Sequence, residues 1–291
     1  MIVEPSVNVA LSRVLNCGGF ADRSGGAYSV DATVWSIIGL TAGGHSATLV
    51  ADARERLTHD QLADGRVPVV REHAEACWPT SLSVLAWTGS TQHREAQGGA
   101  VRYLLQTTGA HSRNTGTLVG HDMTLRGWPW VAGTHSWVEP TALSVIALRA
   151  SGYGRHDRVE EAERMLLDRQ LTHGGWNYGN TIVIGKELHP NVVSTGAALC
   201  ALVGRVDSES VAASLSYLRS NVSQLKTPMS LGWALLGLSA WGRRPSEARE
   251  WISECLQRQT RYGEYRTAAL GLLLMAASGR KGFEELSRNE T

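Results

Sequence analysis

Residues 127–148, GWPWVAGTHSWVEPTALSVIAL, contain a unit that occurs again elsewhere in this chain. A glycine–aromatic pair that ends at Trp128 is followed thirteen residues later by Thr141, which opens an apolar segment rich in small side chains. Residues 19–40, GFADRSGGAYSVDATVWSIIGL, repeat this order with the same spacing. Because a unit that returns along a chain is typical of repeat architectures, it indicates the fold before any single motif does.

Two further features of the unit bear on architecture and chemistry. A carboxylate stands two residues before the threonine in both copies, at Asp31 and Glu139. A third copy leads from Trp176 to Thr195 and contains six additional residues. Functional side chains are therefore expected where the apolar segments begin.

Apolar segments of helical length recur along the chain and carry few charges, which is typical of helices buried on all sides. Proline stands in the first turn of several of them, where the first N–H groups have no partner within the helix. These segments predict inner helices at 31–42, 79–88, 139–150, 191–204, 228–241 and 265–277. The more polar segments between them place their apolar residues on one helical face, which indicates partly exposed helices. These segments predict outer helices at about 46–64, 93–107, 156–171, 208–222 and 245–260, with a last short helix near Lys281.

The alternation of buried and amphipathic helices predicts an all-α protein. Stacked helical hairpins form either an open solenoid or a closed ring. An open solenoid would leave its concave helices in contact with water, and the inner set is too apolar for that. We therefore predict an α/α toroid, with six inner helices surrounded by six outer helices. No linker-like stretch divides the chain, so residues 1–291 are expected to form a single domain.

Composition excludes several classes of protein. The net charge is +1 and no stripe of Lys and Arg is present, which argues against a nucleic-acid partner. The four cysteines are far apart and form no CxxC motif, which is typical of a reducing compartment and predicts a cytoplasmic protein. No stretch is long and apolar enough to cross a bilayer, so at most peripheral membrane contact is expected.

The repeats resemble a known family in three segments. QLTHGGWNYGN (170–180), residues 122–152 and CWPTSLSVLAW (77–87) are similar to the prenyltransferase and squalene-oxidase-type repeat. Squalene/hopene cyclases and the β-subunits of protein prenyltransferases share that repeat. The resemblance covers residues 15–280 and implies a toroid that binds a hydrophobic, isoprenoid-type small molecule.

The catalytic motifs of the resembled families differ from this sequence. Class II terpene cyclases protonate an alkene or epoxide with an Asp-x-Asp-Asp motif, which is absent here. The cyclases also have two toroid-like domains, whereas this chain has the length of one, which leaves open a partner subunit that supplies the other. Protein prenyltransferases hold zinc with Asp, Cys and His. Glu75 and Cys77 have an acid-x-Cys spacing here, and His189 or His135 is available as a third ligand.

Parallel inner helices would bring their N-termini together at one end of the toroid, and the loops before them would line this mouth. We expect no cofactor, with zinc at Glu75, Cys77 and His189 as the alternative. The candidate catalytic residues are Asp31, His121, Asp122, His135 and Glu139. The candidate substrate-binding residues are Tyr28, Trp78, Trp128, Trp130, Trp137, Trp176 and Tyr178. Clustered aromatic faces suit hydrophobic or cationic ligands.

Opposing effects act on Glu139. A helix N-terminus lowers the pKa of a carboxyl group, whereas burial raises it. Glu139 can therefore donate a proton to an alkene only if burial outweighs the helix dipole; otherwise it suits the stabilisation of a cation or a pair with Arg126. The recurrence of Asp31 and Glu139 at helix starts gives them a structural reason to be there. The non-repeated His121, Asp122 and His135 are thus the first places to look for catalysis.

Three functions remain open from the sequence. The first is a terpene cyclase-like isomerase or lyase, or a prenyltransferase-like enzyme, in which Asp31, Asp122 or Glu139 is the acid. The second is a non-catalytic toroid that binds a peptide, a lipid or a partner protein, and it predicts a mouth without a buried carboxyl group of raised pKa. The third is a zinc-dependent prenyl-type transferase.

Overall fold

The computed structural model describes residues 4–76, 78–112, 120–278 and 282–283 and is predominantly helical. Its α-helices are α1 (Glu4–Leu11), α2 (Val30–Ala42), α3 (Ala47–Asp60), α4 (Pro79–Trp87), α5 (Arg94–Gln106), α6 (Val138–Ala150), α7 (Asp157–Asp168), α8 (Val192–Leu202), α9 (Ala212–Asn221), α10 (Pro228–Ala240), α11 (Ala248–Gln257), α12 (Gln259–Tyr262) and α13 (Thr267–Ser278). Two short 3₁₀ helices cover Arg71–His73 and Val222–Gln224. A two-stranded antiparallel hairpin, β1 (Ile182–Val183) and β2 (Lys186–Glu187), lies in the loop before α8.

Helices α2, α4, α6, α8, α10 and α13 form a closed ring. Each packs against the next one in this order, and α13 packs against α2. Their residues are almost entirely buried. The predicted α/α toroid is confirmed, and the predicted inner helices agree with the observed ones to within two residues at each end.

The outer layer consists of α3, α5, α7, α9 and α11, each of which packs against the inner helix that precedes it. The N-terminal helix α1, which the sequence did not predict, packs against α13. It therefore occupies the position of a sixth outer helix. The short outer helix expected near Lys281 lies outside the described residues.

A threonine hydroxyl on an inner helix holds the turn that precedes the helix. Each hydroxyl accepts the backbone N–H of a turn residue and so satisfies a buried donor that would otherwise lack a partner. The bonded N–H lies thirteen residues before the threonine in three of the turns and nineteen residues before it in the turn at Trp176. The bonds are Phe20 N–H to Thr33 (3.0 Å), Val67 to Thr80 (2.9 Å), Trp128 to Thr141 (2.9 Å) and Trp176 to Thr195 (3.0 Å).

The ring closes between the first turn and the last inner helix. The N–H of Thr267 donates to the carbonyl of Asp22 at 2.8 Å, and its hydroxyl donates to the same loop. Arg13, whose side chain is fully buried, donates to the carbonyl of Tyr265 at 2.8 Å and to the Thr267 hydroxyl at 3.0 Å. Its other nitrogen, Nη2, pairs with Glu264 at 3.1 Å. These bonds connect residues about 250 positions apart in the sequence.

Glycines allow the inner helices to approach closely at two crossings. A Cβ on Gly271 of α13 would lie 2.4 Å from the carbonyl oxygen of Trp35 in α2, and one on Gly39 would lie 2.5 Å from that of Gly271. In the same way, a Cβ on Gly196 of α8 would lie 2.3 Å from the carbonyl oxygen of Trp233 in α10. Side chains at these positions would push the helices apart.

The threonine hydroxyl bond can be tested at Thr141. Thr141→Val removes the acceptor and leaves the buried N–H of Trp128 without a partner, which is expected to lower the free energy of unfolding by about 1–3 kcal/mol. Thr141→Ser keeps the hydroxyl and should retain most of the stability. Thr134→Val, at an exposed hydroxyl, is the matched control. Urea unfolding measures all three, and equal losses in the two valine variants would contradict the argument.

The close crossing of α2 and α13 can be tested at Gly271. Gly271→Ala forces a methyl group against the Trp35 carbonyl, and overpacking of this kind typically costs about 1–3 kcal/mol of stability. Gly98→Ala is the control, because this glycine of α5 has space around it and alanine favours helix there by about 0.5–1 kcal/mol. In thermal unfolding, Gly271→Ala should lower the stability of the protein and Gly98→Ala should raise it.

Candidate functional site

The N-termini of the inner helices meet at one end of the ring, and loop hydrogen bonds join neighbouring ones. The N–H of Ala132, in the loop before α6, donates to the carbonyl of Glu75, before α4, at 3.0 Å. The N–H of Val138 at the start of α6 donates to the carbonyl of Tyr178, before α8, at 2.8 Å. We call this end of the ring the mouth. Four threonines accept the N–H groups of the turns, and the residue two positions before each of them is half-buried at the mouth. These residues are Asp31, Trp78, Glu139 and Val193.

Glu139 is the carboxyl group with the most unusual environment at the mouth. It is half-buried in the first turn of α6 and forms no hydrogen bond or ion pair with any described residue. Burial raises its pKa from the ordinary 4.5 to about 7. Burial therefore outweighs the helix dipole, and a substantial fraction of Glu139 carries a proton at neutral pH.

Asp31 occupies the equivalent position on α2. Its Oδ1 is buried and has no hydrogen-bond partner among the described residues. Burial raises its pKa to about 6, with an opposing contribution from the Arg266 charge and a small further increase from Asp22. Arg266 is itself paired with Asp22 at 2.9 Å, so its charge is already partly satisfied.

Two aromatic pairs extend from the rim into the ring. At the rim, Trp78 and Trp130 contact edge to face with ring centroids 5.7 Å apart. Trp35 lies four residues after Asp31, on the same face of α2 and about 6 Å deeper. It meets Trp233 of α10 edge to face with centroids 5.9 Å apart, although α13 separates these two helices in the ring. Neither Trp35 nor Trp233 was among the predicted site residues, although the Asp31 to Trp35 spacing of four indicates a shared helical face.

Three of the aromatic residues assigned to substrate binding have structural roles instead. Trp128 and Trp176 are buried, at 2% and 0% exposure, and their indole N–H groups donate to backbone carbonyls at the outer helices. Both lie in the core because the threonine bond fixes their backbone there. The Tyr28 hydroxyl donates to Asp60 of α3, and Arg56 lies over its ring at 4.3 Å. Burial and the Asp60 contact raise the pKa of Tyr28.

The remaining two predicted binding residues lie in the loops around the start of α6. Trp137 is half-buried and immediately precedes α6, and its ring packs near Gly179. Tyr178 is 54% exposed, while its backbone carbonyl holds Val138. Tyr178 is therefore accessible to a ligand, and Trp137 is partly so.

The non-repeated residues of the long loop do not share the environment of Glu139. The carboxylate of Asp122 accepts the N–H of Thr124 at 2.8 Å. The side chain and then the backbone N–H of Thr124 lower the pKa of Asp122, with smaller contributions from the charges of Arg169 and His121. Asp122 is therefore ionised at neutral pH and closes a local turn. His135 is exposed, and His121 is half-buried. The expectation that these residues come before Glu139 as proton donors has no support in their surroundings.

One predicted electrostatic partnership differs from the observed one. Arg126 pairs with Glu161 of α7 at 2.8 Å and not with Glu139. Glu75 and His189 are exposed, and Cys77 lies outside the described residues. In the described part of the chain, no group of three or more His, Cys, Asp and Glu side chains is arranged to hold a metal ion.

Hydropathy gives one further structural finding. None of the helices among the described residues combines the length and the apolar character that a membrane crossing requires.

The fold is shared with several enzymes of known structure. A type II terpene cyclase from Scytonema, in complex with geranylgeranyl dihydroxybenzoate, has a TM-score of 0.60 and 11% identity, with 98% of each chain covered. An inactive variant of an α-1,6-mannanase from Salegentibacter, in complex with α-1,6-mannotriose, has a TM-score of 0.61 and 11% identity over 95% of this chain and 98% of that one. An α-amylase from Clostridium perfringens has a TM-score of 0.58 and 8% identity over 97% and 98%. No protein-family model and no curated protein matches the sequence.

These similarities establish the fold and leave the activity open, because the same toroid supports reactions on isoprenoid and on carbohydrate substrates.

The raised pKa of Glu139 makes stability depend on pH. Between pH 4.5 and about 7 the folded protein binds more protons at this residue than the unfolded chain does, so its contribution to the free energy of unfolding falls as pH rises. Glu139→Gln removes this term and should be more stable than the parent protein at pH 8 by about 1–3 kcal/mol, with little difference at pH 4. Asp122→Asn is the control. Because folding lowers the pKa of Asp122, its contribution to the free energy of unfolding rises with pH instead of falling. If the free energy of unfolding depends on pH in the same way for the Gln variant and the parent protein, the raised pKa of Glu139 is contradicted.

Proposed function

We propose that residues 1–291 form a single toroid domain that binds an isoprenoid-type substrate at the mouth and protonates one of its alkenes. The observation that carries this proposal is the half-buried, unpaired Glu139 with a pKa of about 7. A general acid works best when its pKa lies near the operating pH, because it then holds its proton and can still release it. Glu139 is the proposed acid.

The proposed reaction begins with one proton transfer. The O–H bond of Glu139 breaks and a C–H bond forms at the alkene, which leaves a carbocation on the substrate and a carboxylate on the protein. A neighbouring alkene closes a ring onto the cation, and loss of a proton restores a neutral product. Substrate and product then have the same mass, as expected for an isomerase.

The aromatic pair at the rim supports this chemistry. Cations are attracted to the faces of Trp rings, and more strongly where water is excluded. Trp78 and Trp130 lie half-buried at the rim, whereas Trp35 and Trp233 meet inside the ring at 5% and 2% exposure and belong to the core. Because Asp31 and Glu139 both have a raised pKa and both lie on the rim, Asp31 is proposed to face a later position of the substrate and to stabilise the developing cation when ionised.

The environment of the carboxyl groups favours this proposal over a non-catalytic toroid. A purely binding mouth has no need of a buried carboxyl group of raised pKa, and such groups are more frequent at functional sites than elsewhere. Two of them occur here, at Asp31 and Glu139. Because the sequence contains no Asp-x-Asp-Asp motif, the proposed donor is a single carboxyl group.

Incubation in D₂O tests the proposed reaction. Geranylgeranyl diphosphate, squalene and geranylgeranyl dihydroxybenzoate form a suitable substrate panel. A product that arises from alkene protonation carries one deuterium from the solvent, which mass spectrometry detects. Glu139→Gln should lower kcat by about 100-fold or more, since general acid catalysis is typically worth that much.

Asp122→Asn is the matched control, because this carboxylate is ionised and engaged in a local turn. It should keep the parent activity. No deuterated product from any member of the panel would contradict the proposal, and so would equal activity of the Gln variant and the parent protein.

A further inference from the structure

A small pocket lies beneath the long loop that precedes α6. Its volume is about 210 Å³, which is less than drug-sized ligand sites occupy and fits a single polar group or small headgroup. The loop contributes one side of the wall, and Arg169, at the C-terminal end of α7, contributes another. The residues that bear on ligand chemistry are His121, His135, Trp137, Arg169 and Asn180.

Arg169 is a buried cation, and none of the described carboxylates forms an ion pair with its guanidinium. It is 7% exposed, and its Nη1 donates to the carbonyls of Gly179 at 2.7 Å and Ser136 at 3.3 Å. Its Nε is buried and has no hydrogen-bond partner among the described residues. Burial lowers the pKa of Arg169 to about 10, so the guanidinium remains charged at neutral pH. A buried donor without a partner typically costs stability, which makes an occupant favourable.

All titratable groups that line this pocket are basic. His121 and His135 are on the loop side, and Asn180 adds an amide. The nearest acidic charges are Asp168 and Asp122, which help to keep Arg169 charged. Neither lines the pocket, and Asp168 accepts the N–H of Asp122 at 2.8 Å.

We propose that this pocket binds an oxyanion, the carboxylate or phosphate group of a small molecule, through the guanidinium of Arg169 with His135 and Asn180. A planar guanidinium matches the geometry of both kinds of anion. Trp137 forms an apolar wall against which the rest of the ligand can pack. Arg169 was not among the predicted site residues, because basic residues are common at the C-terminal ends of helices. This proposal does not depend on the activity proposed for Glu139.

Calorimetric titration of the full chain with inorganic diphosphate, inorganic phosphate and benzoate tests the proposal. At least one of these anions should bind saturably. Tighter binding of diphosphate or phosphate identifies a phosphate site, and tighter binding of benzoate identifies a carboxylate site. Arg169→Gln should weaken binding about tenfold or more, as expected for loss of a charge-assisted hydrogen bond. Asn180→Ala and His135→Ala, both at exposed positions, should weaken anion binding less than Arg169→Gln does. These two variants test the proposal if the Arg169 variant does not fold.

Arg126→Gln is the matched control, because this arginine lies on the same loop but pairs with Glu161 outside the pocket. Its affinity should equal that of the parent protein. The proposal is overturned if none of the three anions binds saturably. It is also overturned if the Asn180 and His135 variants bind as tightly as the Arg126 variant.

Discussion

The bond from a turn N–H to a threonine hydroxyl is the constraint on which the rest of the molecule depends. In four turns it fixes the distance between a loop and the inner helix that follows, at 2.9–3.0 Å. The turn then runs along the edge of the ring and brings the next helix back in the same direction. Parallel inner helices follow from this repetition, and with them a mouth at which several helix N-termini meet.

The sequence was sufficient for the ring because its signals are local and repeated. Phe20 and Thr33, or Trp128 and Thr141, can be recognised by their spacing alone. The apolar character of the segments that the threonines open then predicts that these helices are buried. It was insufficient where the same contact is made by different residues. Val67 replaces the aromatic residue in the turn before Thr80, so that copy was not recognised. Helix α1 is held by Arg13 through contacts about 250 residues away, which no local pattern records.

The candidate site was predictable in position and unpredictable in chemistry. Repetition places Asp31 and Glu139 at the mouth, as the structure does. Which loop residue stays ionised depends on individual hydrogen bonds, such as the Thr124 N–H that holds Asp122. Trp128 and Trp176 illustrate the same limit, since a tryptophan next to a turn can be a ligand platform or a core residue. The backbone geometry decides between them.

A carboxyl group at the start of a helix is ordinarily ionised, and the structure of α6 explains why Glu139 has a raised pKa instead. Orphan N–H groups of the first turn normally lower the pKa of a nearby carboxylate. In α6, the N–H of Val138 is already bonded to Tyr178, and Pro140 has no N–H. Few donors therefore remain to stabilise the charged form, and burial dominates. The same loop contact that positions α6 thus favours the protonated form of Glu139, so the structural role of this repeated position and the chemical role proposed for it do not compete.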